Sequence, residues 1–417
     1  MKAEIIAIGS ELLTPYRLDT NSLFLTRELN QLGIRVVHKD VVGDSLDEMR
    51  SSFSHALERA ELIVASGGLG PTDDDRTREA VADLLGRKLR RDEAIVRRIQ
   101  ERFRSFGREM PEINTRQAMV PEGATILPNP RGTAPGLWLE SNGHILILLP
   151  GVPSELRALF EAEVKPRLAR LGSDERLITR DLRITGLPES EVEQRIRPLY
   201  ALYPDAETTI LAAPTGIQLH PRIWSRDPAA AEKLLDEIVE RMALALGEHL
   251  VSTQGETLED VVGRVLVENH ATIGVAESCT GGMLAQQLTN VPGSSNYFRG
   301  GVVCYSNDLK TSLVDVPAEL IESKGAVSSE VAIALADGIR RRSGSTLGVG
   351  ITGIAGPGGG TPEKPVGLVH IAIADERGPR GRAFRFPGDR ERIRQYATQA
   401  ALDMVRRYFL YPPQGRS

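Results

Sequence analysis

The chain has 417 residues, enough for two or three domains, and its 41% hydrophobic and 26% charged content is that of an ordinary globular protein. A net charge of −5 excludes a broad electrostatic footprint for nucleic acid. The two cysteines, Cys279 and Cys304, exclude a disulfide frame and a cysteine-built zinc site, and no apolar run approaches the roughly 18 residues of a membrane span. The opening Met1-Lys2-Ala3-Glu4 lacks the features of a signal peptide, so a cytoplasmic location is expected.

Residues 1–172 alternate strand and helix patterns, which predicts a parallel or mostly parallel α/β sheet. The first buried strand is expected at residues 5–8, and it ends in Gly9-Ser10-Glu11. A helix is expected over 20–32 with Gly33 closing it, a strand from 34, a helix capped by Ser45, and a third strand at 62–65. That strand runs into Ser66-Gly67-Gly68-Leu69-Gly70-Pro71-Thr72-Asp73-Asp74-Asp75-Arg76-Thr77. Sites in open α/β sheets form beyond the carboxyl ends of strands. A glycine-rich loop there suits phosphate, and consecutive aspartates suit a hard divalent cation. The plainer reading is a solvated acidic turn at a helix start. Residues 129–136, with Arg131, Gly132 and Thr133, and residues 149–155 add further loops of the same kind.

Residues 173–252 read β-α-β-β-α, with a strand over 177–185, a helix over 190–199, strands at 207–211 and 216–224, and a helix over 228–246. The segment has neither a Gly-x-x-Gly loop nor a basic cluster, so RNA binding is unsupported and a structural or dimerisation role is expected. Residues 252–256 are the expected linker to a last domain at 256–417.

In that last domain the apolar run 271–275 leads into Ala276-Glu277-Ser278-Cys279-Thr280-Gly281-Gly282, and a helical pattern follows. A serine at such a turn suits a nucleophile with nearby amides as oxyanion donors, or, more plainly, an N-cap. Lys310, in the run Tyr305-Ser306-Asn307-Asp308-Leu309-Lys310, suits a general base if burial lowers its pKa, or is a surface lysine. Thr352-Gly353-Ile354-Ala355-Gly356 opens a third, glycine-rich loop, and Arg390 begins a helix expected to run to about 410. Cys279 is a competing nucleophile, because a thiolate needs less activation than a hydroxyl.

Six separated motifs of residues 256–412 together resemble the CinA C-terminal domain of the nicotinamide mononucleotide deamidases: AESCTGG, YSNDLK, GAVS, TGIAGPGGG, EKPVG and PGDR. The resemblance implies hydrolysis of nicotinamide mononucleotide to nicotinic acid mononucleotide and ammonia without a cofactor. It makes Ser278 the nucleophile, Lys310 its base and Tyr305 a pocket group. Thr280, Gly281, Gly282, Thr352, Gly353, Gly356 and Arg390 would then contact substrate.

Residues 2–170, through IGSELL, DTNS, SGGLGPTDDDRT, NPRGTAPG and LPGVPSE, resemble the CinA N-terminal domain, which has a molybdopterin-binding fold. This implies metal-dependent ADP-ribose pyrophosphatase chemistry. Asp74 and Asp75 fall on the metal side (Mg2+ or similar), with Gly67, Gly68, Gly70, Thr72, Gly132 and Thr133 around phosphate. Where the family often has a glycine after GSELL, this chain has Thr14-Pro15-Tyr16-Arg17-Leu18. The family also implies a KH-like middle module and a homodimer. The expected architecture is thus α/β: a molybdopterin-binding-like domain, a small α+β module and an α/β amidase domain. The alternative functions are molybdopterin binding or adenylyl transfer, and a noncatalytic part in competence or DNA damage.

Overall fold

A computed structural model describes residues 1–172 and 174–411 of the chain. The expected junction at 173 and the last residues of the 256–417 domain lie outside these. The chain divides into two compact units, one of residues 1–178 with 224–229 and one of the remainder.

The first unit is built on a six-stranded sheet. Its strands are β1 (Lys2–Ile8), β2 (Arg35–Val42), β3 (Leu62–Ser66), β6 (Thr125–Leu127), β7 (Gly136–Ser141) and β8 (His144–Leu149), in the order β2-β1-β3-β8-β7-β6. The first four run parallel, and β7 and β6 complete an antiparallel edge. β4 (Leu89–Arg91) and β5 (Met119–Pro121) form a separate antiparallel ribbon. β3 is buried throughout, and its unbroken apolar run is what a central parallel strand covered on both faces requires. One face is covered by α2 (Leu46–Arg59), α3 (Thr77–Leu84) and α4 (Glu93–Ser105), through Met49, Phe53, Val81 and Ile95. The other is covered by α1 (Thr20–Gln31), α5 (Pro153–Leu159) and α6 (Lys165–Leu171), with Leu25, Phe160 and Leu168. The mostly parallel sheet expected from residues 1–172 is therefore present. Ser45 stands at the N-cap of α2 but its side chain makes no capping bond, whereas Asp19 caps α1 by accepting from Ser22 N.

In the second unit, β10 (Leu182–Ile184), β11 (Glu207–Ala213), β12 (Gly216–Ser225) and β13 (Leu250–Ser252) form an antiparallel sheet in the order β11-β12-β10-β13, with α7 (Glu189–Tyr200) and α8 (Pro228–Leu246). The single strand expected over 177–185 is two, β9 (Arg176–Thr179) and β10. Between them Arg180 turns to pair with Asp236, and Asp181 with Arg183. Residues 252–256, expected as a linker, are tied down. Ser252 Oγ donates to Glu256 and accepts from Gln254 N, and a β-bridge joins Asp181 to Gln254.

The same unit continues with a five-stranded sheet of β14 (Ile273–Glu277), β15 (Phe298–Val303), β16 (Leu347–Gly353), β17 (Leu368–Asp375) and β18 (Gly378–Arg385), ordered β15-β14-β16-β17-β18. β14 runs parallel to both β15 and β16, and the remaining pairs are antiparallel. One face packs against α9 (Leu258–Glu268), α10 (Met283–Asn290) and α14 (Arg390–Leu410). The other packs against α11 (Asn307–Val314), α12 (Ala318–Lys324) and α13 (Ser329–Ser343). The connection after β14 returns to one side of it and the connection after β15 crosses to the other. The carboxyl end of β14 is therefore a topological switch point, and so is that of β1 in the first unit.

Arg406 of α14 is fully buried. It pairs with Asp403 at 2.7 Å and donates to the carbonyls of Glu248 and Leu250, next to and within β13. Arg406→Met keeps the volume but leaves both carbonyls without their donor. It is expected to cost about 3 kcal/mol, the scale for breaking a buried, hydrogen-bonded charge pair. Urea unfolding of the full chain reads this as a lowered midpoint, and an unmoved midpoint would make the contact incidental.

Candidate active sites

β14 delivers Glu277 and Ser278 to the switch point of the second unit. The Glu277 carboxylate is buried and turns back onto the start of α10, accepting from Gly282 N (3.0 Å), Leu284 N (3.1 Å) and Ala285 N (2.8 Å). The first turn of a helix has unpaired N–H groups and a partial positive charge, and this carboxylate satisfies both. The chain can turn this tightly because Gly281 and Gly282 take φ of +62° and +93°, which a side chain disfavours.

Ser278 is consequently not the helix cap. Its N–H donates to Ile351 O at 3.0 Å, it is 8% exposed, and among the described residues no group bonds its hydroxyl. The N–H of Thr280 donates to no described carbonyl or side chain, and the buried Thr280 Oγ1 also has no partner. Cys279 is buried too, and burial pushes its thiol up to about 12. A thiol with that pKa holds no appreciable thiolate near neutrality, so the competing nucleophile is disfavoured by its surroundings.

Lys310 lies on α11, six residues after Cys304, which directly follows the end of β15. Ser306 starts that helix, its Oγ accepting from Leu309 N. Lys310 is only 1% exposed and its Nζ donates to the carbonyls of Cys304 and Tyr305, both at 3.0 Å. Cys304 N in turn donates to Glu277 O at 2.9 Å, which ties the lysine-bearing loop to the residue before Ser278. Among the described residues no carboxylate pairs with Lys310, and burial pulls its pKa below the ordinary lysine value.

Arg390, the first residue of α14, donates to Gly356 O (2.8 Å) and to the Tyr305 hydroxyl (3.2 Å), so three of the expected residues meet. Arg394, one turn further along, donates to Thr280 O at 2.8 Å and lies against Gly281. It was not among the expected residues, although its i+4 spacing from Arg390 on one helix was the signal to follow. Thr352 is buried and donates to Ala326 O at 2.7 Å, anchoring the loop before α13. Gly353 faces β17, where a Cβ would stand 2.7 Å from the Val369 side chain.

In the first unit the expected loops also converge at strand ends. Asn21 is the junction: its Nδ2 donates to Ser66 Oγ (2.9 Å) and Gly151 O (2.8 Å), joining three motifs. Arg78, which the sequence reading passed over, is 2% exposed and donates to Leu69 O and Gly70 O, holding the glycine loop from behind. Burial pulls its pKa down to about 10, so it stays charged near neutrality. Gly67 is required by close approach, since a Cβ there would lie 2.0 Å from Ile8 O.

These loops border a cleft of about 400 Å³ lined by Gly67, Gly68, Gly70, Asp74, Asp75 and Thr133. Glu11, Asp44 and Glu155 also line it, and Gly132 lies against the Glu155 carboxylate. Asp75 accepts from Thr72 N and Thr72 Oγ1, closing its own turn, while Asp74 is exposed. Among the described residues no three metal-ligating side chains are gathered as a coordination shell. The donor set, all carboxylate oxygens, fits a hard cation held by one or two carboxylates and completed by ligand phosphate and water.

The capping assignment separates two variants. Glu277→Ala strips three N–H groups of a charged acceptor and is expected to cost about 2 kcal/mol or more. Ser278→Ala removes a hydroxyl without a partner and is expected to cost nothing measurable. Chemical denaturation of both chains checks this, and the reverse order would make Ser278 the cap.

Comparison with known proteins gives three family matches: the CinA C-terminal domain over residues 255–409, a probable molybdopterin binding domain over 4–170, and the damage-inducible protein CinA KH domain over 179–251. A CinA-like protein of Solibacter usitatus is 49% identical over 98% of both chains. A putative competence-damage inducible protein of Desulforudis audaxviator is 44% identical over 98% of this chain and 99% of its own. The crystal structure of a CinA protein of unknown function from Thermoplasma acidophilum is 38% identical and covers 40% of this chain and 96% of that one, with a TM-score of 0.37. With its three segments in this order and such identity along its length, the chain belongs to the CinA family.

Proposed function

We propose that residues 255–409 form an amidase that hydrolyses nicotinamide mononucleotide to nicotinic acid mononucleotide and ammonia. The observation that carries this reading is the free Ser278 hydroxyl, left uncommitted because Glu277 caps the adjacent helix. Ser278 Oγ attacks the carboxamide carbon while Lys310 accepts its proton. The N–H of Thr280 is available to the developing oxyanion. The C–N bond then breaks, the proton passes to the leaving nitrogen as ammonia, and water hydrolyses the resulting ester. Arg390 and Tyr305 border the site, with the guanidinium suited to the substrate phosphate.

Ser278→Ala should lower ammonia release by orders of magnitude while the chain stays folded. If that variant turns over normally and Cys279→Ala is inactive, the reading fails. Lys310 works as a base only when neutral, so activity should rise with pH through its lowered pKa and fall away on the acid side. The limb should lie below the free lysine value of about 10.4. Lys310→Gln should abolish it, and a Lys310→Gln enzyme with normal turnover and raised KM would make Lys310 a substrate ligand instead.

For residues 4–170 we propose hydrolysis of ADP-ribose to AMP and ribose 5-phosphate. Support comes from the carboxylate-lined cleft beside the glycine loop. Asp74, open to solvent, would hold a divalent cation with Asp75 behind it, and the cation would neutralise pyrophosphate charge. Replacing Asp74 and Asp75 together by Asn should abolish metal-dependent AMP release and leave the amidase unchanged. Wild-type cleavage by that variant would reduce the acidic turn to a helix start. The family match favours a second reading, molybdopterin binding, which direct binding of molybdopterin without ADP-ribose cleavage would establish.

A further inference from the structure

The turn that carries Ser278 is held unevenly. Downstream, the Glu277 carboxylate grips the N–H groups of Gly282, Leu284 and Ala285. Upstream, the Ser278 N–H is tied to Ile351 O at 3.0 Å. Between these anchors the turn's own backbone bonds are long. Gly281 N donates to Ser278 O at 3.2 Å and Met283 N to Thr280 O at 3.4 Å, at and beyond the upper end of the usual range of about 2.7–3.2 Å. The positive φ angles of Gly281 and Gly282 mark a backbone with little stiffness of its own. Among the described residues, the one short bond to this middle stretch comes from outside it, from Arg394 Nη2 to Thr280 O at 2.8 Å.

Arg394 is held in place by its own helix. Asp389 caps α14 by accepting from Arg392 N, Ile393 and Ala397 are buried in the core, and the Arg394 carbonyl accepts from Thr398 Oγ1. The guanidinium forms no ion pair among the described residues, and its Nε is buried without a partner. A cation without a counter-charge, and with an unpaired buried N–H, is costly; packing alone would be better served by an apolar side chain. What the cation does is legible in the bonds it starts. The guanidinium donates to the carbonyl of the Thr280–Gly281 peptide, and the N–H of that same peptide donates to Ser278 O. Hydrogen bonds in series polarise and strengthen one another. Arg394 thus grips Ser278 at its carbonyl through a single peptide plane, while Ile351 grips it at its N–H.

We infer that Arg394 is a positioning residue of the amidase, fixing the Ser278 backbone through the Thr280–Gly281 peptide so that the nucleophilic hydroxyl and the free Thr280 N–H keep one placement. The inference rests on the amidase reading. It gives the two arginines of the helix face different tasks. Arg390 is exposed and open to a substrate phosphate, whereas Arg394 has Nη2 engaged with the protein and Nε shut from solvent. Arg394 therefore acts on turnover and Arg390 on binding.

The test compares Arg394→Met and Arg394→Lys in the full chain, by ammonia release from nicotinamide mononucleotide and by the rate at which a fluorophosphonate labels Ser278. In the labelling, Ser278 Oγ bonds to phosphorus and fluoride leaves, so it reads the placement of the nucleophile without the proposed substrate. Arg394→Met is expected to lower kcat and the labelling rate about a hundredfold each, the scale of a misplacement of about 1 Å, with KM changed less than about twofold. Arg394→Lys keeps a donor and should recover about tenfold of each loss, so it serves alone should Arg394→Met unfold. The acid limb of the pH profile should not move, since Lys310 is untouched. Thermal melts establish which variants are folded. A raised KM with unchanged kcat and labelling would make Arg394 a substrate ligand, and folded variants with wild-type rates would make it structural only. Either result overturns the inference, as does a displaced acid limb. A wild-type chain that labels at Ser278 but releases no ammonia overturns the substrate reading alone, and the labelling rates of the variants then decide on Arg394. A wild-type chain that does neither overturns both.

Discussion

Three N–H groups at the start of α10 are satisfied by one buried carboxylate, and the rest of the C-terminal site depends on that arrangement. Without Glu277, the nearest side-chain oxygen able to cap the helix would be a hydroxyl of the same turn, and Ser278 would be spent on structure. With Glu277 in place, the positive end of α10 is answered locally and Ser278 stays free. The same residue's carbonyl receives Cys304 N, so one amino acid both caps the helix and sets the height of the loop that carries Lys310. Lys310 is then buried with carbonyls for partners and, among the described residues, no carboxylate, an environment that favours the neutral amine.

The first unit solves a related problem with the opposite charge. Its glycine loop leaves carbonyls pointing inward, and the Arg78 guanidinium gathers two of them from behind. Asn21 then laces that loop to the one after β8. In both units a single buried polar side chain disciplines a glycine-rich turn at a strand end. Backbone so permissive needs such a clamp if its N–H groups are to face a ligand.

Much of this was legible in the sequence, and what was missed has identifiable causes. Strands such as β3 and β14 announce themselves as apolar runs, and Pro228 and Arg390 mark helix starts at which the chain does turn helical. The convergence of the motifs at strand ends followed from the α/β pattern, because topology alone brings those ends together. The split between β9 and β10 was hidden because Leu177, Ile178, Leu182 and Ile184 read as one apolar run, although the adjacent charges Arg180 and Asp181 mark the break. Which oxygen caps α10 was also hidden: Ser278 and Glu277 are both able acceptors, and only backbone direction decides between them. Arg78 and Arg394 were lost among the chain's many arginines, since burial rather than spacing distinguishes them. The roles assigned to Thr352 and Gly353 rested on a loop motif, while the fold gives each a local packing task as well.

The buried Arg406 bears on how such a chain can be taken apart. Its side chain belongs to the last helix, yet two of its acceptors belong to the stretch around β13, before the C-terminal segment begins. A cut at residue 255 would therefore pass through a shared polar knot rather than a slack tether, uncovering a guanidinium adapted to darkness. Modularity in this chain is thus unequal. Every residue of that knot belongs to the second unit, and a freestanding C-terminal piece must either hydrate this arginine or replace it with a residue that does not miss its carbonyls.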